Sequence, residues 1–175
     1  FKFKKQGDYY LSFARLSDAK RVDNVVKAFT KMPDKKLIVI YWENDPVRKK
    51  IFTLAQDSNN IEFITLPDNI GFTDYVGNCI ATIYIPVDED FGMSPIESMS
   101  AWKPVLWVSE WWLKESIIDK KTGILISKWA KIDEIIKAVK YLTPEKCLKM
   151  KNNCQKRAKD FSLAEFEKKL IKLIK

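Results

Sequence analysis

Two acidic residues, Glu89 and Glu97, are separated by seven residues in a segment that leads from an apolar run, through a loop, into a helix-like region. The loop contains one glycine, Gly92, which lets the backbone approach a bound ligand closely. Glu97 falls in the first turn of the predicted helix, and Glu89 precedes that turn. The segment therefore predicts a ligand site at a strand–loop–helix junction.

The start of this predicted helix is suited to an anion. The amides of Met93 and Ser94 lie at or near its first turn, where free N–H groups and the helix dipole attract a group such as a diphosphate. Arg15 directly follows another apolar run, so we expect its side chain to point at the ligand-binding edge of the sheet. The alternative for Arg15 is a surface ion pair.

The two glutamates admit other interpretations. They could be two solvated carboxylates, or the paired carboxyl groups of a glycosidase, which must flank one glycosidic bond. A glutamate in a loop and another inside a helix do not favour the glycosidase pair.

The elements that position these residues follow from the hydrophobic pattern. Continuous apolar runs predict buried strands at residues 9–14, 37–42, 61–66, 81–86, 104–108 and 122–126. Helical spacing or start signals predict helices from residue 22, after Asp45-Pro46, over 94–102, from residue 132, from Pro144 and from residue 163. The connection that contains Gly71 and Gly77 is predicted to be a polar loop.

Unalternating strands separated by amphipathic helices predict a single α/β domain, a Rossmann-like doubly wound parallel sheet covered on both faces. Such sheets bind ligands outside the carboxyl ends of their strands, where the strand order switches. The segments that begin at Arg15, Trp42, Leu66, Val87 and Ser109 are therefore the candidates for the site.

Several motifs, in order, resemble the retaining glycosyltransferase family 4 and its GT-B relatives. That family's signature has two glutamates separated by seven residues with Phe-Gly after the first, and then a strand that begins Pro-Val. The matching residues in register are Glu89, Phe91, Gly92, Glu97, Met99, Pro104 and Val105. Further matches are Phe13-Ala14-Arg15-Leu16 with Lys20, Thr122-Gly123-Ile124-Leu125, and Phe161-Ser162.

The resemblance implies roles for these residues. Glu89 would be the catalytic residue, hydrogen-bonded to the donor hexose, and Glu97 would bind the ribose hydroxyls. Arg15 and Lys20 would form a cationic pair on the diphosphate. The substrate-binding set is completed by Phe91, Gly92, Met93 and Ser94. The chain departs from the family at Ala14 and Arg21, where the family has glycine, and in the loop 42–45, which lacks the usual glycines.

The implied activity is retaining transfer of a hexose from a nucleoside-diphosphate sugar to a glycan or lipid-linked acceptor, and family frequency favours a mannosyl donor. Cations and backbone amides would stabilise the leaving diphosphate, so neither a metal nor another cofactor is expected. The chain would be the C-terminal, donor-binding half, because residue 1 is not Met and the acceptor domain is missing from residues 1–175. The alternatives are a non-catalytic nucleotide-sugar-binding or regulatory domain, and a nucleotide-sugar epimerase of related fold.

Composition narrows the partners. The net charge is +8, but the basic residues are spread along amphipathic helices, so nucleic acid is not expected as a partner. The chain has no histidine, which excludes His-based triads and His-ligated zinc. We expect a cytoplasmic protein, with peripheral association at the cytoplasmic face of a membrane as a further expectation. The three cysteines have no metal-ligand spacing and are interpreted as reduced packing residues.

Overall fold

A parallel sheet of six strands forms the centre of the computed structural model, which describes residues 1–66, 69–89, 92–110 and 115–174, with the backbone alone at 69 and 70. Its strands are β1 (Tyr9–Ser12), β2 (Lys36–Ile40), β3 (Ile61–Ile64), β4 (Thr82–Tyr84), β5 (Val105–Val108) and β6 (Gly123–Ile126). The spatial order is β3-β2-β1-β4-β5-β6, with every neighbouring pair parallel. The order reverses between β1 and β4, and the space outside the carboxyl ends of these two strands is called the crevice below.

Helices cover the sheet. In the described part of the chain they are α1 (Val22–Thr30), α2 (Arg48–Leu54), α3 (Asn69–Asn78), α4 (Met93–Ser100), α5 (Ile132–Tyr141), α6 (Pro144–Lys159) and α7 (Leu163–Ile174). The predicted Rossmann-like α/β class is confirmed. Four of the six predicted strands overrun the observed ones by two residues at their carboxyl ends, and those extra residues belong to the loops that follow the strands.

The segment with Gly71 and Gly77 is a correction, because it forms helix α3 rather than a polar loop. Glycine lowers helix propensity and so suggested a break. At Gly77 it has a packing reason: an added Cβ would lie 2.5 Å from the carbonyl oxygen of Lys2, and the amide of Lys4 donates to the Gly77 carbonyl at 3.0 Å. The N-terminal segment crosses α3 too closely for a side chain.

The core lies on both faces of the sheet, since alternate residues of a strand point to opposite sides. On β1, Tyr10 packs in the larger cluster with Val26 and Phe29 of α1, whereas Leu11 packs in the smaller one. The three cysteines are free and buried, which confirms their interpretation as packing residues.

Helix α7 differs from the others in exposing its apolar side chains. Its large apolar residues are each at least 45% exposed: Leu163, Phe166, Leu170, Ile171, Leu173 and Ile174. Across the described ranges, no helix combines the length and the hydropathy that crossing a bilayer requires.

Lys103 is a buried cation between α4 and β5. Its Nζ donates to the carbonyl of Lys5 at 2.7 Å and lies 4.4 Å from the centre of the Phe3 ring. Burial lowers the pKa of the Lys103 amine from 10.5 to about 8. The folded protein therefore releases this proton well before the unfolded chain does.

We expect Lys103 to make the free energy of unfolding increase with pH. Between pH 7 and 9 the unfolded chain binds more protons at this residue, so the wild type should gain about 1 kcal/mol relative to Lys103→Met. Burial raises the pKa of the three cysteine thiols, which gives an opposite slope. That slope is common to both proteins and cancels in the difference. Urea unfolding at several pH values measures the difference in the free energy of unfolding between the two proteins. If that difference did not change with pH, the lowered pKa of Lys103 would be contradicted.

Candidate functional site

The two loops of the crevice are hydrogen-bonded to each other. Arg21, after β1, donates from Nε to the carbonyl of Ile85 at 2.7 Å and from a terminal nitrogen to that of Pro86 at 3.3 Å. The amide of Val87 donates to the carbonyl of Ala19 at 2.8 Å. The loop after β1 is therefore fixed against the end of β4.

Arg21 also explains a departure from the family pattern. Its φ is 50°, in the left-handed region where glycine is favoured, and the family resemblance of the sequence implies glycine at this position. An arginine is strained in this conformation, but its buried guanidinium supplies the hydrogen bonds that join the two loops.

Glu89 lies in the crevice with two donors on one carboxylate oxygen. Lys20, at the end of a 3-10 turn (Asp18–Lys20), forms an ion pair with its Oε2, and the hydroxyl of Tyr84 donates to the same atom at 2.7 Å. The Lys20 amine is also 5.4 Å from the centre of the Tyr84 ring. Glu89 and Lys20, predicted as members of one site, are in direct contact.

Tyr84, the last residue of β4, is a site residue that the sequence analysis missed. Its pKa is raised by burial first, then by the hydrogen bond and charge of Glu89, and then by the charge of Glu97. One phenol therefore lies within electrostatic reach of both glutamates. In the sequence Tyr84 belongs to an apolar run, where an aromatic residue indicates core, and no residue pattern distinguishes its hydroxyl.

Gly92 is the N-cap of α4, with φ of 71°. A Cβ at this position would lie 2.6 and 2.8 Å from two ring carbons of Trp107, which is fully buried on β5. The glycine is thus required both by the backbone conformation and by the indole beneath it.

The helix start that Gly92 caps carries three further predicted residues. Met93 is 57% exposed, Ser94 is partly exposed, and Glu97 is half-buried, with its pKa raised by loss of solvation. Phe91 lies outside the described residues.

Two successive hydrogen bonds through hydroxyl groups connect helix α4 to the sheet. The hydroxyl of Thr82 on β4 donates to that of Ser98 at 2.8 Å, and the Ser98 hydroxyl donates to the Ser94 carbonyl at 2.8 Å. The first turn of α4 is therefore held at the edge of the crevice.

Arg15 lies on the β2 side of the crevice, apart from Glu89. Its Nε is 3.5 Å from Oδ1 of Asp45, so Arg15 forms an ion pair as the alternative interpretation expected, but with a fully buried carboxylate and not at the surface. The Arg15 side chain is still 62% exposed, and the residue lines a groove of about 260 Å³ with Trp42, Asn44 and Asp45. Arg15 is thus both paired and open to the crevice.

The sequence profile of the family described as Glycosyl transferases group 1 matches residues 1–161. The chain belongs to this family. A curated relative, the alpha-1,3/1,6-mannosyltransferase ALG2 of Dictyostelium discoideum, is 35% identical over 104 residues, which are 56% of this chain and 24% of the relative.

Solved structures of glycosyltransferases share the fold. Anabaena HepE, in complex with UDP and glucose, superposes with a TM-score of 0.81 at 16% identity over 97% of this chain and 48% of that chain. The C-terminal domain of the glycosyl transferase group 1 protein LpcC from Francisella tularensis superposes with a TM-score of 0.74 at 19% identity over 88% of this chain and 86% of that chain. The predicted resemblance to GT-B glycosyltransferases is confirmed, and the chain spans about a quarter of ALG2 and about half of HepE.

We expect Gly92→Ala to destabilise this glycosyltransferase domain by about 2 kcal/mol or more, because the left-handed conformation and the contact with Trp107 both act against a methyl group. Urea unfolding gives the value. The control is Ser100→Ala on the same helix, which removes a hydroxyl bonded to the Ile96 carbonyl at 2.8 Å and should cost well under half as much. Equal stabilities for the two variants would contradict the packing described here.

Proposed function

We propose that this domain binds a nucleoside-diphosphate sugar in the crevice and, together with an acceptor-binding domain, transfers the hexose with retention to a glycan or lipid-linked acceptor. The observation that carries the proposal is the contact of Glu89 with Lys20 and Tyr84 beside the start of α4, at the switch in strand order. Adjacent elements would thereby supply a carboxylate that accepts hydrogen bonds from sugar hydroxyls, and cationic and amide groups that bind a diphosphate.

The diphosphate is the part of the ligand that gains charge during reaction. As the glycosidic bond to the hexose breaks, negative charge develops on the leaving nucleoside diphosphate, and cations and free amides already directed at it lower the barrier. We assign this role to Lys20, Arg15 and the amides at the start of α4. Metal independence stays a prediction, and the described residues contain no group of three His, Cys, Asp or Glu that could hold a metal ion.

The two glutamates differ in environment, which supports different roles. Glu89 is ion-paired and hydrogen-bonded through Oε2. Glu97 is half-buried, and loss of solvation raises its pKa. A poorly solvated carboxylate gains more from added hydrogen-bond donors than a solvated one does, and the two hydroxyls of a ribose supply such donors.

The relatives support the choice of donor. ALG2 is named a mannosyltransferase, which supports a mannosyl donor, and HepE was crystallised with UDP and glucose, which supports a nucleotide sugar more generally. The exposed apolar side chains of α7 support a second domain that covers them. A cytoplasmic location with peripheral membrane association completes the proposal.

Calorimetry with UDP, GDP and their sugar derivatives tests the site directly. We expect Arg15→Ala to weaken nucleoside-diphosphate binding roughly ten- to a hundredfold, because a charge-assisted contact contributes about 1.5–3 kcal/mol. The control Arg157→Ala, on α6, should bind as the wild type does. EDTA should not change the affinity. No binding of any nucleotide, or binding restored only by magnesium or manganese, would refute the proposal.

Glutamine substitutions separate the roles of the glutamates. We expect Glu97→Gln to lose about 1 kcal/mol of nucleoside-diphosphate binding, because ribose is bound equally in the ground and transition states. Glu89→Gln should leave that affinity nearly unchanged and lower kcat in the full-length enzyme, since the free nucleotide carries no hexose. The control is Glu62→Gln, at an exposed pair on β3.

The opposite pattern would reverse the two roles. If neither substitution changed binding or turnover, the two-glutamate motif would be a coincidence. A full-length protein that binds the donor without turnover would instead be a non-catalytic nucleotide-sugar-binding domain.

A further inference from the structure

Asp45 places a buried carboxylate beside the crevice. The side chain has no exposed surface, and Asp45 lies in the loop that follows β2. Its Oδ2 accepts the backbone N–H of Trp42 at 2.9 Å, while Oδ1 has no hydrogen-bond partner among the described residues. A buried carboxylate oxygen in this situation is costly unless a cation faces it.

The cation that faces Oδ1 is Arg15. The distance from its Nε is 3.5 Å, beyond the usual range of a direct N–H···O hydrogen bond, so the contact is electrostatic and can shorten. A guanidinium positioned through its Nε keeps its two terminal nitrogens available. These nitrogens can donate to two phosphate oxygens in a bidentate contact.

The contact with Asp45 matters because the Arg15 side chain is exposed. The Arg15 side chain is 62% exposed and would otherwise be distributed over many rotamers, which must be lost when a ligand binds. A partner that approaches the guanidinium from the buried side restricts those rotamers before the ligand arrives.

We infer that Asp45 is a positioning residue that holds the Arg15 guanidinium at Nε and directs its terminal nitrogens at the diphosphate of the ligand. The inference rests on the proposed function, in which Arg15 binds that diphosphate.

The variant Asp45→Asn distinguishes positioning of Arg15 from a simple effect of charge, because the two predict opposite changes in the affinity for a nucleoside diphosphate. Asparagine keeps the shape and can still accept the Trp42 N–H, but it removes one negative charge from the neighbourhood of an anionic ligand. Charge removal alone would strengthen nucleoside-diphosphate binding. Loss of positioning should weaken it, and we expect roughly three- to tenfold weaker binding.

A double-mutant cycle with Arg15→Ala tests whether Asp45 acts through Arg15. In the Arg15→Ala background, Asp45→Asn should no longer weaken binding, and the affinity for the nucleoside without phosphates should be unchanged throughout. The control Asp34→Asn removes the same charge from a loop residue paired with Lys35 and should bind as the wild type does. Unchanged or stronger binding by Asp45→Asn, or equal losses in both backgrounds, would overturn the inference.

A measurement without ligand keeps the inference separate from the proposed function. The Nε–H resonance of Arg15, assigned by its loss in Arg15→Lys, should exchange with solvent more slowly in the wild type than in Asp45→Asn. Equal exchange rates refute the contact itself, whatever the protein binds. Slow exchange in a wild type that binds no nucleotide would instead refute the proposed function, and the role of Asp45 toward a diphosphate with it.

Discussion

The hydrogen bonds of Arg21 to the carbonyls of Ile85 and Pro86 are the interaction on which the crevice depends. They join the loop after β1 to the end of β4, the two strands between which the strand order reverses. Lys20 precedes Arg21 directly, so the same contact places the lysine amine against Glu89. Burial lowers the pKa of the Arg21 guanidinium, and the strained backbone adds to that cost. The two hydrogen bonds of Arg21, together with that of the Val87 amide to the Ala19 carbonyl between the same two loops, act against both costs.

A second property of the crevice is that three of the described cations beside it already have acidic partners. Lys20 pairs with Glu89, Arg15 with Asp45, and Lys128, after β6, with Asp88 and Glu110. In a chain with a net charge of +8, unpaired cations at one edge of the sheet would repel one another. A diphosphate bound as proposed would therefore have to replace these carboxylates as the partner of the cations. The binding free energy would then be the difference between the cations paired with carboxylates and the cations paired with the diphosphate. It would therefore depend on the geometry in which each carboxylate positions its cation.

Much of this arrangement could be predicted from the sequence, because buried parallel strands are read from continuous apolar runs and ligand loops follow them. The exceptions have physical reasons. Helix α3 was missed because Gly77, required by the crossing N-terminal segment, resembles a helix break. Tyr84 was missed because its ring packs 4.7 Å from that of Trp107, as a core residue does, and only its hydroxyl reaches Glu89. Asp45 was interpreted only as part of a helix start with Pro46, because its ion-pair partner, Arg15, is distant in sequence.

Trp107 shows that the core and the candidate site share side chains. It is fully buried on β5, yet its indole lies under the Gly92 backbone on one side and against the Tyr84 ring on another. The position of the α4 N-terminus and the position of the Tyr84 hydroxyl are therefore both set by how one indole packs. A packed interior resists gradual deformation, so a change in this indole would move the first turn of α4 and the Tyr84 hydroxyl that donates to Glu89 together. The positions of these crevice residues are thus set by the packing of the core of the sheet.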